Sequence, residues 1–142
     1  MSQVGSSARV VDDHVFRLVL EMEMSKALRL QYMYSVLTIV REPTRGPSTA
    51  NGRSDADAMA AVVSRVTQAS DLIGLVPTAS AVRVLLVDTH LDDVSGVVER
   101  VRAEFSPEVA LSFGAACFPT TGSTTDELLR RADLEAGLMS GG

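Results

Sequence analysis

The stretch from Asp71 to Arg102 constrains the fold most. It reads DLIGL (Asp71–Leu75), VPTASA (Val76–Ala81), VRVLLVDT (Val82–Thr89) and HLDDVSGVVERVR (His90–Arg102). Two apolar runs flank a short segment with proline and serine, which predicts a hairpin of strands Asp71–Val76 and Val82–Val87. The next segment predicts a helix over His90–Glu104, with Pro107 just beyond its end. A hairpin feeding directly into a helix calls for a sheet with helices laid on it.

The flanking segments extend this unit. Residues 1–10 are rich in Ser and Gly and are expected to form a disordered tail, with the domain running from residue 11 to residue 142. Asp12 or Asp13 can cap a helix that starts near His14 and runs to Leu30. Val15, Phe16, Val19, Met22, Leu28 and Leu30 recur there at helical spacing. Tyr32–Val40 is rich in β-branched residues and predicts a buried strand. Arg41–Arg53 holds two prolines and an Asn-Gly pair and reads as a loop. Ser54 or Asp55 can cap a second helix that runs through Val66, with Met59, Val62, Val63 and Val66 on one face. Val109–Phe118 predicts a strand. Thr125–Leu138 predicts a last helix with Leu128, Leu129, Ala132 and Leu138 inward. The order α-β-α-β-β-α-β-α contains a split βαββαβ core. One helical layer is expected over one mixed, mostly antiparallel sheet, an α+β fold of the ferredoxin-like or nucleotide-cyclase kind with an extra N-terminal helix.

Composition narrows the function. The net charge of −5 opposes a general nucleic-acid binder, which needs a basic face to displace counterions. No apolar run approaches the ~18 residues of a membrane span, and the N-terminus lacks the apolar core of a secretory signal. The lone cysteine, Cys117, sits in an apolar run and reads as a buried thiol, which with the missing signal suggests a cytoplasmic protein. His90 reads as a helix opener, and Asp92 and Asp93 suit the first turn of that helix, where the dipole favours anions. Neither histidine has a partner at metal-ligand spacing. Ser112 has no base arranged beside it, and no GxxxxGK phosphate loop occurs. VRVLLVDTHLDD also looks like the first strand of a response-regulator receiver. A receiver needs a later lysine, however, and the only lysine here is Lys26. Met22, Met24 and Met33 suit core or interface packing.

Four segments resemble the GGDEF, or diguanylate cyclase, family. VFRLVLEMEMSKALR is similar to its opening helix. VRVLLVDTHLDDVSGVVERVR looks like its strand ending Leu-Leu-Pro-x-Thr and the helix that follows, with Leu85, Leu86, Asp88, Thr89, Glu99, Arg100 and Arg102 on matching positions. LSFGAACFP is similar to its Ser-x-Gly-x-Ala-x-x-Pro strand, and DELLRRAD to its Glu-Leu-Leu-x-x-Ala-Asp helix. Together these span about residues 14–138.

The departures from the family pattern concentrate at its chemical positions. The resemblance puts Val40, Arg41 and Glu42 where the family has Asp-Ile-Asp, whose first carboxylate helps hold two divalent cations. Thr78, Ala79, Ser80, Ala81 and Val82 fall where the family has Gly-Gly-Asp/Glu-Glu-Phe. Neither Val40 nor Ala81 offers the oxygen ligands that Mg²⁺ requires. The family's inhibitory Arg-x-x-Asp reads Gln68, Ala69, Ser70, Asp71 here. The resemblance therefore implies a degenerate GGDEF domain that is not an enzyme and has no cofactor. It would act by self-association or by contact with another signalling protein, with Leu18, Leu20 and Met24 as interface candidates. The alternative is a receptor for cyclic di-GMP or GTP that uses Asp71, Arg65 and Arg100.

Overall fold

The computed structural model describes residues 9–42, 52–67, 71–76, 79–87 and 89–138, and of 52–55 the backbone only. The elements are β1 (Arg9–Val11), α1 (Asp13–Leu30), β2 (Tyr34–Arg41), α2 (Gly52–Ser64), β3 (Leu72–Leu75), β4 (Ala81–Val87), α3 (Leu91–Glu104), β5 (Leu111–Phe118) and α4 (Thr125–Ala136). The five strands form one sheet in the order β1-β3-β4-β2-β5. β1 runs parallel to β3, and the β3–β4, β4–β2 and β2–β5 pairs are antiparallel. This is the expected α+β fold with a mixed, mostly antiparallel sheet.

Local chemistry explains the helix ends. The Asp12 carboxylate accepts from the Val15 N–H at 2.9 Å, which satisfies one orphan donor of α1. α1 ends at Gln31, held in the left-handed region at φ 60°, where it acts as the C-cap. His90 caps α3 through Nδ1, which accepts from the Asp92 N–H at 3.2 Å. Asp92 and Asp93 lie in its first turn. Thr124 caps α4 by accepting from the Glu127 N–H, while Glu127 accepts from the Ser123 N–H, a reciprocal arrangement close to a capping box.

The sheet is covered on both faces, which corrects the expectation of a single helical layer. Successive residues of a strand point to opposite faces, and β2 shows the split. Leu37 and Ile39 join a core with Met59 and Val63 of α2 and Val94, Val97 and Val101 of α3. Tyr34 and Val36 join a second core with Phe16 and Leu20 of α1 and Leu128, Leu129 and Ala132 of α4. Burial on both faces is why β2 and β4 read as nearly unbroken apolar runs rather than alternating ones.

A polar row crosses the α1/α4 face. Gly74, Arg83, Thr38 and Gly114 are neighbours across four strands. Arg83 is buried and donates to both carboxylate oxygens of Asp133 in α4, at 3.1 and 2.7 Å. It also donates to Asp13 in α1 at 2.6 Å. The Thr38 hydroxyl donates to Asp133 at 2.8 Å. The glycines bracket this network because helices sit directly on them. A Cβ on Gly74 would lie 2.5 Å from the Phe16 ring, and one on Gly114 would lie 2.1 Å from the Ala132 carbonyl oxygen.

Other expectations also shift. Arg9 and Val10, assigned to the tail, form β1, because their backbone pairs with the otherwise open edge of β3. Residues 1–8 lie outside the described set. α2 begins at Gly52, so Ser54 and Asp55 fall inside it and do not cap it. On α1 the buried positions are Phe16, Leu20, Glu23 and Ala27, while Val15, Met22, Leu28 and Leu30 are exposed. Only one helical stripe can face the sheet, and α1 carries more apolar residues than one stripe holds. Cys117 is buried, as expected.

Candidate functional site

Two places carry the residues singled out from the sequence. The first is the end of the sheet formed by β2 and β4. Val40 and Ala81 are direct partners across these antiparallel strands, so their side chains share one face. Two positions 41 residues apart in sequence thus meet at one spot. Ala81 and Val82 lie within β4 and are fully buried, so Ala81, read with the segment between the strands, belongs to the strand, and Val82 lies in a strand as expected. The turn proper lies between Val76 and Ala81 and closes with the Val76 N–H donating to the Ala81 carbonyl at 3.2 Å. Ala79 and Ser80 are half-buried, and the Ser80 carbonyl accepts from the Arg41 N–H at 2.9 Å. Glu42 is exposed, and Thr78 lies outside the described residues.

The second place is a cleft of about 420 Å³ at the opposite end of the hairpin. Thr67 after α2, Asp71 before β3, Thr89 after β4, and Asp92, Asp93, Gly96 and Arg100 of α3 line it, with Val66, Leu86, Val87 and Val97 at its apolar base. Asp71 and Thr67 are buried. The Thr67 hydroxyl donates to the Val63 carbonyl at 3.1 Å, which ties it to the last turn of α2. The Ser35 hydroxyl donates to the Thr89 carbonyl at 2.7 Å and ties the far wall to β2. α3 presents Arg100 from its exposed side two turns after Asp93. The cleft therefore holds hydrogen-bond acceptors deep inside and one guanidinium at its margin.

The fold brings Asp71 and Arg100 together but not Arg65, which points to Glu104 at 3.6 Å on the surface and does not line the cleft. Among the described residues, no cluster of His, Cys, Asp or Glu is arranged to hold a metal ion. None of the described helices is long and apolar enough to cross a membrane.

The interface candidates on α1 separate. Leu18 is half exposed, whereas Leu20 is fully buried in the core and Met24 packs partly against it. Leu20 is thus corrected from an interface residue to a core residue, since it lies four residues after Phe16 on the same stripe. Met22, read as suiting core or interface packing, is 70 % exposed and so is not a core residue. Near the C-terminal end of α1, a hollow of about 580 Å³ lies between Ala27, Leu28, Tyr32, Met33 and Phe118. The Tyr32 hydroxyl beside it donates to the buried Glu23 carboxylate. Removal from water, and then this bond, push the hydroxyl pKa up to about 12.

No family model and no curated protein matches the sequence. Solved structures match the fold. The active GGEEF domain of a diguanylate cyclase from Vibrio cholerae superposes with a TM-score of 0.74 at 15 % identity, covering 89 % of this chain and 88 % of that one. The coiled coil and GGDEF domain of DgcB from Caulobacter crescentus, in complex with c-di-GMP, matches with a TM-score of 0.68 at 12 % identity, covering 89 % and 76 %. The diguanylate cyclase SiaD, in complex with its activator SiaC from Pseudomonas aeruginosa, matches with a TM-score of 0.68 at 18 % identity, covering 88 % and 53 %. The chain has the fold of the GGDEF domains of diguanylate cyclases.

These matches correct the expectation that the chain is not an enzyme. The structures that share its fold are diguanylate cyclase domains, one of them described as active. That expectation drew on a few side chains at the β2–β4 end. Residues 43–51 and 77–78, which adjoin those strands in sequence, lie outside the described residues.

Proposed function

We propose that this chain is a signalling domain of the cyclic-di-GMP type that recognises a guanine nucleotide in the cleft between α2, the β3–β4 hairpin and α3. The observation that carries this reading is the convergence of Asp71 and Arg100, 29 residues apart in sequence, on one polar cleft. Their chemistry suits such a ligand. A guanidinium grips a phosphate with two parallel hydrogen bonds. A buried carboxylate accepts from the N–H groups of a guanine edge, and Thr67 and Thr89 add hydroxyls. The three acidic residues of the cleft repel a dianion, so Arg100 has to offset them. A cytoplasmic setting follows from this ligand class.

Calorimetry with cyclic di-GMP and with GTP tests the proposal. We expect heat with cyclic di-GMP and a roughly 10–100-fold weaker association for Arg100→Ala, the range for losing a hydrogen bond to a charged group. Absence of heat and of a thermal shift at near-millimolar ligand removes the reading.

A second reading has its own observation. Val15, Leu18 and Met22 form an exposed apolar row on α1, and surface apolar patches mark contact sites. On this reading the domain also acts as a protein-interaction or dimerisation module. A protein that stays monomeric at high concentration and retains no partner from a host lysate removes it.

A further inference from the structure

We infer that the hollow at the C-terminal end of α1 is a second ligand site, which takes a flat, uncharged aromatic molecule carrying an N–H or O–H donor. It is separate from the cleft that holds Asp71 and Arg100. Ala27 and Phe118 of the hollow belong to the core under α1 and α4, whereas Leu86 and Val97 of the cleft belong to the core under α2 and α3. The two sites lie on opposite faces of the sheet, so nothing in the guanine-nucleotide reading bears on this one.

The walls set the apolar part of the ligand. The hollow measures about 580 Å³, within the roughly 300–1,000 Å³ of small-molecule sites. Ala27, Leu28, Met33, Phe118 and Pro119 supply its apolar lining. Phe118 is backed by Tyr34, with the two rings stacked at a centroid distance of 5.3 Å. An aromatic guest meets such a wall favourably, edge-on or stacked, and the Met33 thioether adapts to its outline.

The polar groups at the same end set the rest. Tyr32 lines the hollow and gives its hydroxyl proton to the buried Glu23 carboxylate. A phenol has one proton to donate, so toward a ligand this oxygen can only accept. α1 ends here at Gln31, and the negative end of a helix dipole also favours donors. Behind the wall, the Tyr34 hydroxyl is buried with no hydrogen-bond partner among the described residues. Burial, and then the Glu23 and Tyr32 groups nearby, push its pKa up. An unpaired buried hydroxyl is costly, and a few polar groups gathered beside an apolar cavity are what a ligand site consists of. Charge narrows the choice further. Glu23 is the buried charge of this corner, met only from the surface by Lys26 at 3.7 Å. A ligand carboxylate would face that buried acid, so the hollow selects against anions.

Methyl NMR titration of the full chain tests the inference with three probes of similar shape: indole, benzofuran (oxygen in place of the N–H) and indole-3-carboxylate. The chain has no tryptophan, so indole fluorescence gives a second readout. We expect indole to saturate shifts at Ala27, Leu28 and Met33 with a Kd of roughly 1–5 mM, suited to so small a probe. Benzofuran should bind about two- to tenfold more weakly, the loss of one hydrogen bond, and indole-3-carboxylate weaker still. Tyr32→Phe should remove the preference for indole over benzofuran. Glu23→Gln leaves Tyr32 an acceptor but no charge, and should admit indole-3-carboxylate. Leu28→Glu should weaken indole and benzofuran alike by threefold or more. Leu28 is 66 % exposed, so that variant should fold as the parent does. Should Tyr32→Phe not fold, Glu23→Gln and Leu28→Glu decide. Absence of saturable shifts overturns the site. So do equal affinities for the three probes in the parent, or indole shifts at Val97 and Gly96 of the cleft in place of Met33. Calorimetry of cyclic di-GMP should not respond to Leu28→Glu, which keeps a failure here distinct from a failure at the cleft.

Discussion

The two faces of the sheet are built on different principles. Toward α2 and α3 the core is apolar, from Leu37, Ile39, Ile73, Val82, Val84 and Leu86 to Met59, Val63 and Val97, with the buried Ser35 hydroxyl bound to the Thr89 carbonyl on the same face. Toward α1 and α4 an apolar core surrounds Arg83, Asp133 and Thr38, which are buried and hydrogen-bonded, and two glycines seat the helices. Apolar burial supplies stability without direction. The Arg83 guanidinium has a fixed fork, and it joins α1 through Asp13 and α4 through Asp133 to the same strand. One face therefore mainly supplies burial, while the other also dictates where its helices lie.

The largest expected effect is on the polar face. Asp133→Ala takes two hydrogen bonds from the buried Arg83 guanidinium and leaves it the contact to Asp13, and removing one partner of a buried pair costs about 3–5 kcal/mol. Urea denaturation measures it. Replacing Arg83 and Asp133 together by Met and Leu should recover most of that loss, since the desolvation cost then disappears with the charges. If the double variant is as unstable as the single one, the bond from Arg83 to Asp13 carries much of the stability of this face.

The matching change on the apolar face is Met59→Ala, with an expected loss of about 2–5 kcal/mol from transfer and cavity terms. Helix positions should persist there, so the calorimetric transition stays single and only its midpoint moves. A change in the denaturant m-value would show that this face also sets geometry.

Gly114→Ala sharpens the contrast. The added methyl meets backbone of α4, which has nowhere to retract, and overpacking of this kind costs about 1–3 kcal/mol. Gly96→Ala on the exposed side of α3 is the control, because nothing lies within 4 Å of its Cβ. Alanine there should stabilise the helix slightly.

The smallest effect concerns the start of α4. The Ser123 N–H and then its hydroxyl hold the Glu127 carboxyl below its ordinary 4.5. A carboxyl depressed in the folded state contributes stability above its unfolded pKa, and this is lost as pH falls through the folded value. Glu127→Gln should therefore flatten the decline in stability below pH about 4.5 and change little near neutrality. Thermal melts of parent and variant across that window check it.

How much was legible follows from the range of the forces involved. The hairpin and its following helix could be read because β-branched runs and helical periods are local patterns. The same holds for Asp12 and His90 as caps, whose hydrogen bonds span two or three residues. β1 was not legible, since three residues become a strand only when an edge is available to pair with. On α1 the period was clear but its inward face was not. Two apolar stripes share the helix, and the choice of Phe16, Leu20 and Ala27 depends on the shape of the sheet beneath. Arg83, inside an apolar strand, gave no sign of Asp133, which lies 50 residues away.

The same division holds for the candidate sites. The sequence marked Asp71, Arg100, Val40 and Ala81 by their place in a family-like pattern. Only strand register put Val40 beside Ala81, and only the packing of α3 near the end of the hairpin put Arg100 on the cleft with Asp71, while leaving Arg65 outside. The order of the elements after β1, the caps Asp12 and His90 and the identity of the chemical groups were settled by the chain itself, because torsional preference and neighbouring side chains act within a turn or two. Which groups meet was decided by tertiary structure, because burial and pairing depend on surfaces that exist only once distant segments have come together.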